Sequence, residues 1–169
     1  MKVNRRSFIG LSAASAFALG APTVLGAARP RVVVVGGGAG GATVARTLAA
    51  QSAGAVDVVL VEPTRTYYTC FFSNLYLGGF RDFASLGHSY GTLASGYGIN
   101  VVHDWAVGVD RDAREVHLAS GPKIGYDRLV LSPGIDFVDG AVPGWDVGQQ
   151  NRMPHAYKAG SQTQLLKAQ

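Results

Sequence analysis

Three features of the 169-residue sequence can carry chemistry: a glycine-rich run, an acid just beyond it, and a single thiol. Gly36-Gly37-Gly38-Ala39-Gly40-Gly41 fits the pattern G-x-G-x-x-G. Gly36 permits a tight turn out of a strand, Gly38 lets the backbone approach a pyrophosphate, and Gly41 lets a helix pack close to a sheet. Gly40 lies in the same cradle. A phosphate there would rest on the free N–H groups of a helix N-terminus, at the positive end of the helix dipole. Glu62 follows Gly41 by 21 residues and closes a second apolar run. A carboxylate at that point accepts the ribose hydroxyls of an adenosine moiety and disfavours a 2′-phosphate, and so NADP. Glycine-rich turns also occur as plain tight loops; the strand before, the helix after and the acid in place make this one a dinucleotide site.

The thiol is Cys70, the one cysteine of the chain. It lies in TYYTCFFSNLYLGG, residues 66–79, among Tyr67, Tyr68, Phe71 and Phe72. A single thiol forms no internal disulfide and holds no metal alone, and no C-x-x-C-H run is present for covalent haem. Two readings stay open on the residues themselves: a small buried hydrophobe among aromatics, or a reactive group with a partner outside the chain. The other candidates are weaker. His88, His103, His117 and His155 lack ligand spacing. Ser73, Ser89 and Ser132 have no nucleophile-elbow context. Trp105 and Trp145 read as core or loop anchors, and His155 as a helix-start residue.

These groups need elements to position them. RVVVV, residues 31–35, is a β-branched run of the kind buried on both faces of a parallel sheet. ATVARTLAA, 42–50, has apolar residues at helical spacing, and VDVVLVE, 56–62, is a second buried strand. Strand, glycine turn, helix and strand make one βαβ unit. Residues 63–81 read as a long non-helical stretch opened by Pro63, and SLGHSYGTLASGYG as a weak helix. INVVHDWAVGVD reads as a strand, and REVHLASGPKIGYDRLVLSPG as strand, turn at Ser120–Lys123, and strand. The expected fold is α/β, a Rossmann-like domain with a parallel sheet and a small antiparallel element. The final MPHAYKAGSQTQLLKAQ reads as the opening of an amphipathic helix, so the chain is expected to be the N-terminal part of a longer protein.

The first residues read differently. Lys2, Arg5 and Arg6 precede an apolar, Ala/Gly-rich run and then small residues at Gly26, Ala27 and Ala28. That is the layout of a secretory signal, and NRRSFIG resembles the twin-arginine consensus used to export folded, cofactor-loaded proteins. Residues 1–28 are therefore read as a signal peptide and 29–169 as the domain, with a periplasmic destination. Without the three leader cations the basic count falls from 15 to 12 against 11 acids. No basic stripe then points to nucleic acid, and no later apolar run is long enough to span a membrane.

The segment after Glu62 favours FAD over NAD. An aromatic loop and an antiparallel strand pair stand where an NAD domain continues with helix and parallel strand. LVLSPG, 129–134, also resembles the strand-plus-glycine motif that closes the FAD site of two-dinucleotide-domain flavoproteins, with Ser132, Pro133 and Gly134 near the cofactor. Beyond this, VVVVGGGAGGATVA, VDVVLVEPTRTYYTCFFSNLYLGG, HSYGTLASGYGINVVHDWAVGVD, YDRLVLSPGIDF and PHAYKAGSQTQLL together resemble the N-terminal part of the flavoprotein subunit of flavocytochrome c sulfide dehydrogenase. The resemblance covers nearly everything after the leader. It implies that Cys70 forms a thioether to the 8α-methyl of FAD, that Gly36, Gly38, Gly41 and Glu62 hold the adenosine diphosphate half, and that Val107 faces the adenine through its backbone. It implies a periplasmic enzyme that oxidises sulfide and passes electrons to a cytochrome c subunit. The family's redox-active cysteine pair is absent from these 169 residues and is expected downstream, so no catalytic residue is assigned here. Two alternatives stand beside this reading: a sulfide:quinone-type flavoenzyme with non-covalent FAD, and a non-catalytic flavoprotein module.

Overall fold

The computed structural model describes residues 28–169. The signal-peptide reading, but for Ala28, lies outside the described residues. The chain order begins β1 (Arg31–Val35), α1 (Ala39–Ser52) and β2 (Asp57–Val61). These form the expected βαβ unit, with β1 and β2 parallel. The helix is longer at both ends than its apolar spacing predicts, because Ala39, Gly40 and Gly41 of the glycine run form its first turn. It stops where Ala53 and Gly54 take left-handed backbone conformations.

The aromatic stretch is more ordered than expected. It contains β3 (Thr66–Tyr68) and a short helix, α2 (Ser73–Leu77), in place of an unbroken non-helical loop. No regular amphipathic spacing announces five helical residues, and their ordering comes from packing: Ser73 and Tyr76 are buried. The segment read as one weak helix divides into a 3-10 turn at Phe83–Leu86, β4 (Gly87–Ser89) and α3 (Gly91–Tyr97). β4 pairs antiparallel with β3, a long-range partner that overrides local helical preference.

INVVHDWAVGVD likewise divides, into β5 (Asn100–Val102) and β6 (Ala106–Asp110). β5 joins β2 in the parallel sheet, whereas β6 pairs antiparallel with β7 (Glu115–Leu118). β8 (Lys123–Gly125) pairs with β7, and β9 (Arg128–Leu131) returns to lie parallel beside β1. The expected turn near Ser120–Lys123 is present, but Lys123 already belongs to β8. The parallel sheet runs β5-β2-β1-β9, flanked by two small antiparallel sheets, β3-β4 and β6-β7-β8. At the far end, residues 161–168 form α4 (Ser161–Ala168), a shorter helix than the final segment suggests. Among the described residues no helix is long and apolar enough to cross a membrane.

The parallel sheet is buried on both faces, as its unbroken valine runs require. Val34, Val58 and Leu60 face one way, into a cluster with Ala45 of α1, Tyr90 and Ile99. Their neighbours Val33, Val59 and Val61 face the other way, against Val116 and Leu118 of β7. The two-residue period of a strand divides each run between two layers. Helices α1 and α3 therefore cover one face of the sheet, and the three-stranded antiparallel sheet covers the other.

Candidate dinucleotide site

The site is assembled by strand register. Val35 lies opposite Val61 on one side and Leu131 on the other, and Val61 lies opposite Val102. The next residue of each strand is Gly36, Glu62, Ser132 or His103. Four segments distant in sequence thus end flush at the carboxyl edge of one parallel sheet, where open α/β sheets bind ligands. Backbone bonds lock the row: Gly36 N–H donates to the Val61 carbonyl at 2.9 Å, Glu62 N–H to that of Val102 at 2.9 Å, and Ser132 N–H to that of Val35 at 2.8 Å.

The glycines of the loop are glycines for different reasons. Gly36 has φ +98°, and a Cβ placed there would stand 2.1 Å from the Ser132 carbonyl oxygen. One at Gly41 would stand 1.8 Å from the Gly36 carbonyl oxygen, and one at Gly40 2.9 Å from Ser132 Oγ. Backbone packing requires glycine at 36 and 41, whereas at 40 the neighbour is the end of the Ser132 side chain. Gly38 differs, because a Cβ there meets only the Tyr67 ring edge, at 3.7 Å. That is ordinary contact distance, so the chain's own packing does not demand glycine at 38. The space in front of it suits an approaching ligand, the role the pattern assigns to that glycine.

Gly38 also caps α1 without any side-chain bond, and no acidic residue stands in the helix's first turn. The helix N-terminus therefore presents N–H groups and positive potential with no acid of its own first turn against them; Glu62 engages the loop one residue earlier, at the Gly37 N–H. A pyrophosphate fits this cradle.

Glu62 is held at the loop. Its Oε2 accepts the Gly37 N–H at 2.7 Å, and its Oε1 accepts both the N–H and the hydroxyl of Thr64, at 2.9 and 2.7 Å. Three donors fix the carboxylate beside the glycine turn, oriented for hydroxyl donors from a ribose. The acid's position relative to the glycines was legible from spacing.

Tyr90, His103 and Thr64 were not. Tyr90 is 5% exposed and donates its phenol to the Gly37 carbonyl at 3.0 Å. Burial, and then the Glu62 charge, push that phenol up to about 12. His103 Nδ1 lies 3.1 Å from the Glu62 carbonyl oxygen. A tyrosine and a histidine in a weak helical segment and a strand end carry no pattern, and only register brings them to the loop.

The structure also places the other expected residues. Ser132 packs on Gly36, Gly40 and Gly41, and the Cα of Pro133 stands 3.3 Å from a Cβ placed at Gly36. Gly134 has φ +80°, the left-handed turn that leads the chain out of the site. Cys70 is a free, partly buried thiol. Its carbonyl accepts the Ser73 N–H at 3.1 Å, at the turn into α2. Tyr67, three residues earlier in β3, packs by Gly38, so the cysteine loop is tied to the glycine loop through this ring. Val107 lies on β6 and is 65% exposed, just beyond the β5 end that accepts the Glu62 N–H. Trp105 is largely exposed, whereas Trp145 and His155 join Phe137 in a separate aromatic cluster.

Known proteins resemble this chain in sequence and fold. The chain is 32% identical over 110 residues to a sulfide-quinone reductase of Aquifex aeolicus, covering 65% of this chain and 25% of that protein. It is 33% identical over 129 residues to a probable ferredoxin reductase of Castellaniella defragrans, covering 75% of this chain and 31% of that one. Among solved structures, the sulfide:quinone oxidoreductase of Aquifex aeolicus superposes with a TM-score of 0.63 at 25% identity, over 82% of this chain and 32% of that chain. Putidaredoxin reductase, in its covalent complex with putidaredoxin, gives a TM-score of 0.59 at 26% identity, over 74% of this chain and 30% of that chain. The chain thus spans a quarter to a third of the length of these relatives. The pyridine nucleotide-disulphide oxidoreductase family matches residues 30–166, nearly the whole described region, and the chain belongs to that family.

Proposed function

We propose that this chain is the FAD-binding portion of a sulfide-oxidising flavoprotein that holds its flavin covalently through Cys70 and passes electrons to a cytochrome c subunit. Family membership implies FAD, and the likeness to a sulfide-quinone reductase supports sulfur chemistry. The observation that carries the reading is the carboxyl-edge row of Gly36, Glu62 and Ser132, with the Cys70 loop packed against it through Tyr67.

Each residue has a distinct task on this reading. The Gly36–Gly41 loop and the start of α1 take the pyrophosphate, and Glu62 takes the ribose hydroxyls. Ser132, Pro133 and Gly134 close the site beside the loop, and Val107 meets the adenine through its backbone. Cys70 would hold the flavin by a thioether from its sulfur to the 8α-methyl, a bond that would replace one S–H and one C–H, with the two electrons and two protons taken up by the flavin itself. When bound, FAD supplies a two-electron acceptor. Oxidation of sulfide needs the cysteine pair expected beyond this chain, so the residues here bind and orient. The NRRSFIG leader supports export by the twin-arginine route to the periplasm.

The test of covalent attachment is acid precipitation of the full-length protein. A yellow pellet is expected from the wild type and a colourless one from Cys70→Ser, with the flavin left in the supernatant. A colourless wild-type pellet, or a yellow one from the variant, removes the tether.

The likeness to the Aquifex aeolicus sulfide-quinone reductase favours a second reading, in which FAD is non-covalent and quinone is the acceptor. Sulfide-driven reduction of cytochrome c without quinone supports the first reading. Reduction of a soluble quinone analogue in preference to cytochrome c supports the second.

A further inference from the structure

We propose that Tyr90, outside the glycine pattern and 53 residues from Gly37, is the positioning residue that aims the Gly38 N–H at the pyrophosphate. The proposal rests on the dinucleotide reading of the site and adds the group that shapes its phosphate cradle. The carbonyl of Gly37 and the N–H of Gly38 belong to one peptide unit. No cis peptide bond occurs among the described residues, and in a planar trans unit the C=O and N–H point in opposite directions. Tyr90 Oη, within the core cluster, donates to the Gly37 carbonyl at 3.0 Å and so turns that carbonyl inward. The Gly38 N–H is thereby turned the other way, away from the phenol. Among the described residues this N–H donates to no other backbone group.

The preceding peptide is held as well, because Glu62 accepts the Gly37 N–H at 2.7 Å. Two bonds, one to the Gly37 N–H and one to its carbonyl, therefore fix two consecutive peptide planes in a loop whose glycines have the widest backbone freedom. A donor oriented in advance spares the ligand the cost of ordering it. Tyr90 also accounts for a glycine the pattern leaves free. A Cβ at Gly37, an x position of G-x-G-x-x-G, would stand 2.7 Å from the Tyr90 ring and hydroxyl. Gly37 is glycine so that the phenol can reach its carbonyl.

The test compares two probes, ADP and adenosine, by calorimetry on the full-length apoprotein in a Cys70→Ser background. Tyr90→Phe keeps the ring and removes only the hydroxyl. It is expected to weaken ADP about five- to tenfold, the loss of one net hydrogen bond, with adenosine changed by less than about twofold. Gly37→Ala displaces the phenol by a second route and is expected to give the same selective loss, so it carries the test if Tyr90→Phe does not fold. Equal losses for both probes, or no loss for either, overturn the proposal. A Cys70→Ser parent that binds neither probe overturns the dinucleotide reading itself. One that binds ADP no more tightly than adenosine overturns the loop as a phosphate site.

Discussion

At Gly36 one missing methyl group decides whether the site can form. The residue combines a left-handed backbone with a carbonyl 2.1 Å from where a Cβ would lie, and that carbonyl belongs to backbone already fixed by its own sheet. Gly36→Ala is expected to destabilise the protein by roughly 2–4 kcal/mol, since backbone strain and steric clash act together. Denaturant midpoints check this, and a shift corresponding to under about 0.5 kcal/mol would show that the sheet edge gives way easily.

His155 gives a pH prediction. Burial among aromatic rings lowers its pKa from the usual 6.5, and the Lys158 cation adds to the effect. Both ring nitrogens are buried without a hydrogen-bond partner, and Lys158 is itself paired with Asp136 at 2.9 Å. The native state therefore prefers the neutral ring. Between the lowered value and 6.5 the unfolded chain binds more protons, so stability rises with pH there. Its contribution is full above 6.5 and lost as pH falls through the folded value. Urea unfolding at pH 5 and pH 7.5 should show the difference, and His155→Gln should flatten it. An unchanged slope in the variant would assign the pH dependence to another group. Asp104, Asp110 and Asp136, whose pKa values are lowered by hydrogen bonds, belong to a separate acid limb below their ordinary range.

At the scale of elements, the site depends on how the sheet is covered. The β7 residues Val116 and Leu118 seal the face formed by Val33, Val59 and Val61, so the antiparallel sheet holds the register from which Gly36, Glu62 and Ser132 emerge. Val116 is fully buried, and Val116→Ala is expected to cost about 2–3 kcal/mol of stability. The denaturant slope should stay unchanged while the midpoint falls; a near-neutral variant would mean that this layer adapts to the gap. The βαβ unit was legible because its signals are local: continuous valines, five glycines, then helical spacing. The division of INVVHDWAVGVD between two sheets was not, because both halves carry the same strand residues and only their partners differ. α2 and β4 escaped notice for a related reason. Each is too short to show a period, and burial or a distant strand stabilises it.

For the whole molecule, the chain spans a quarter to a third of the relatives it matches. Family and fold are therefore what this region itself displays, and the sulfur substrate, the electron acceptor and the export route stand as proposals for the whole protein. By itself the sequence determined the fold class, the glycine run, the acid beyond it and the broad two-dinucleotide-domain flavoprotein family, while the narrower flavocytochrome c likeness stands as a proposal. Such features are written in contiguous residues, through backbone freedom, side-chain period and spacing along one βαβ unit. The tertiary structure alone decided that Ser132 packs on the glycine loop, that Tyr67 joins the Cys70 segment to it, and that Tyr90 and Glu62 hold the carbonyl and the N–H of Gly37. These contacts join residues dozens of positions apart. Strand register and core packing place them, and neither leaves a mark on any short stretch of chain.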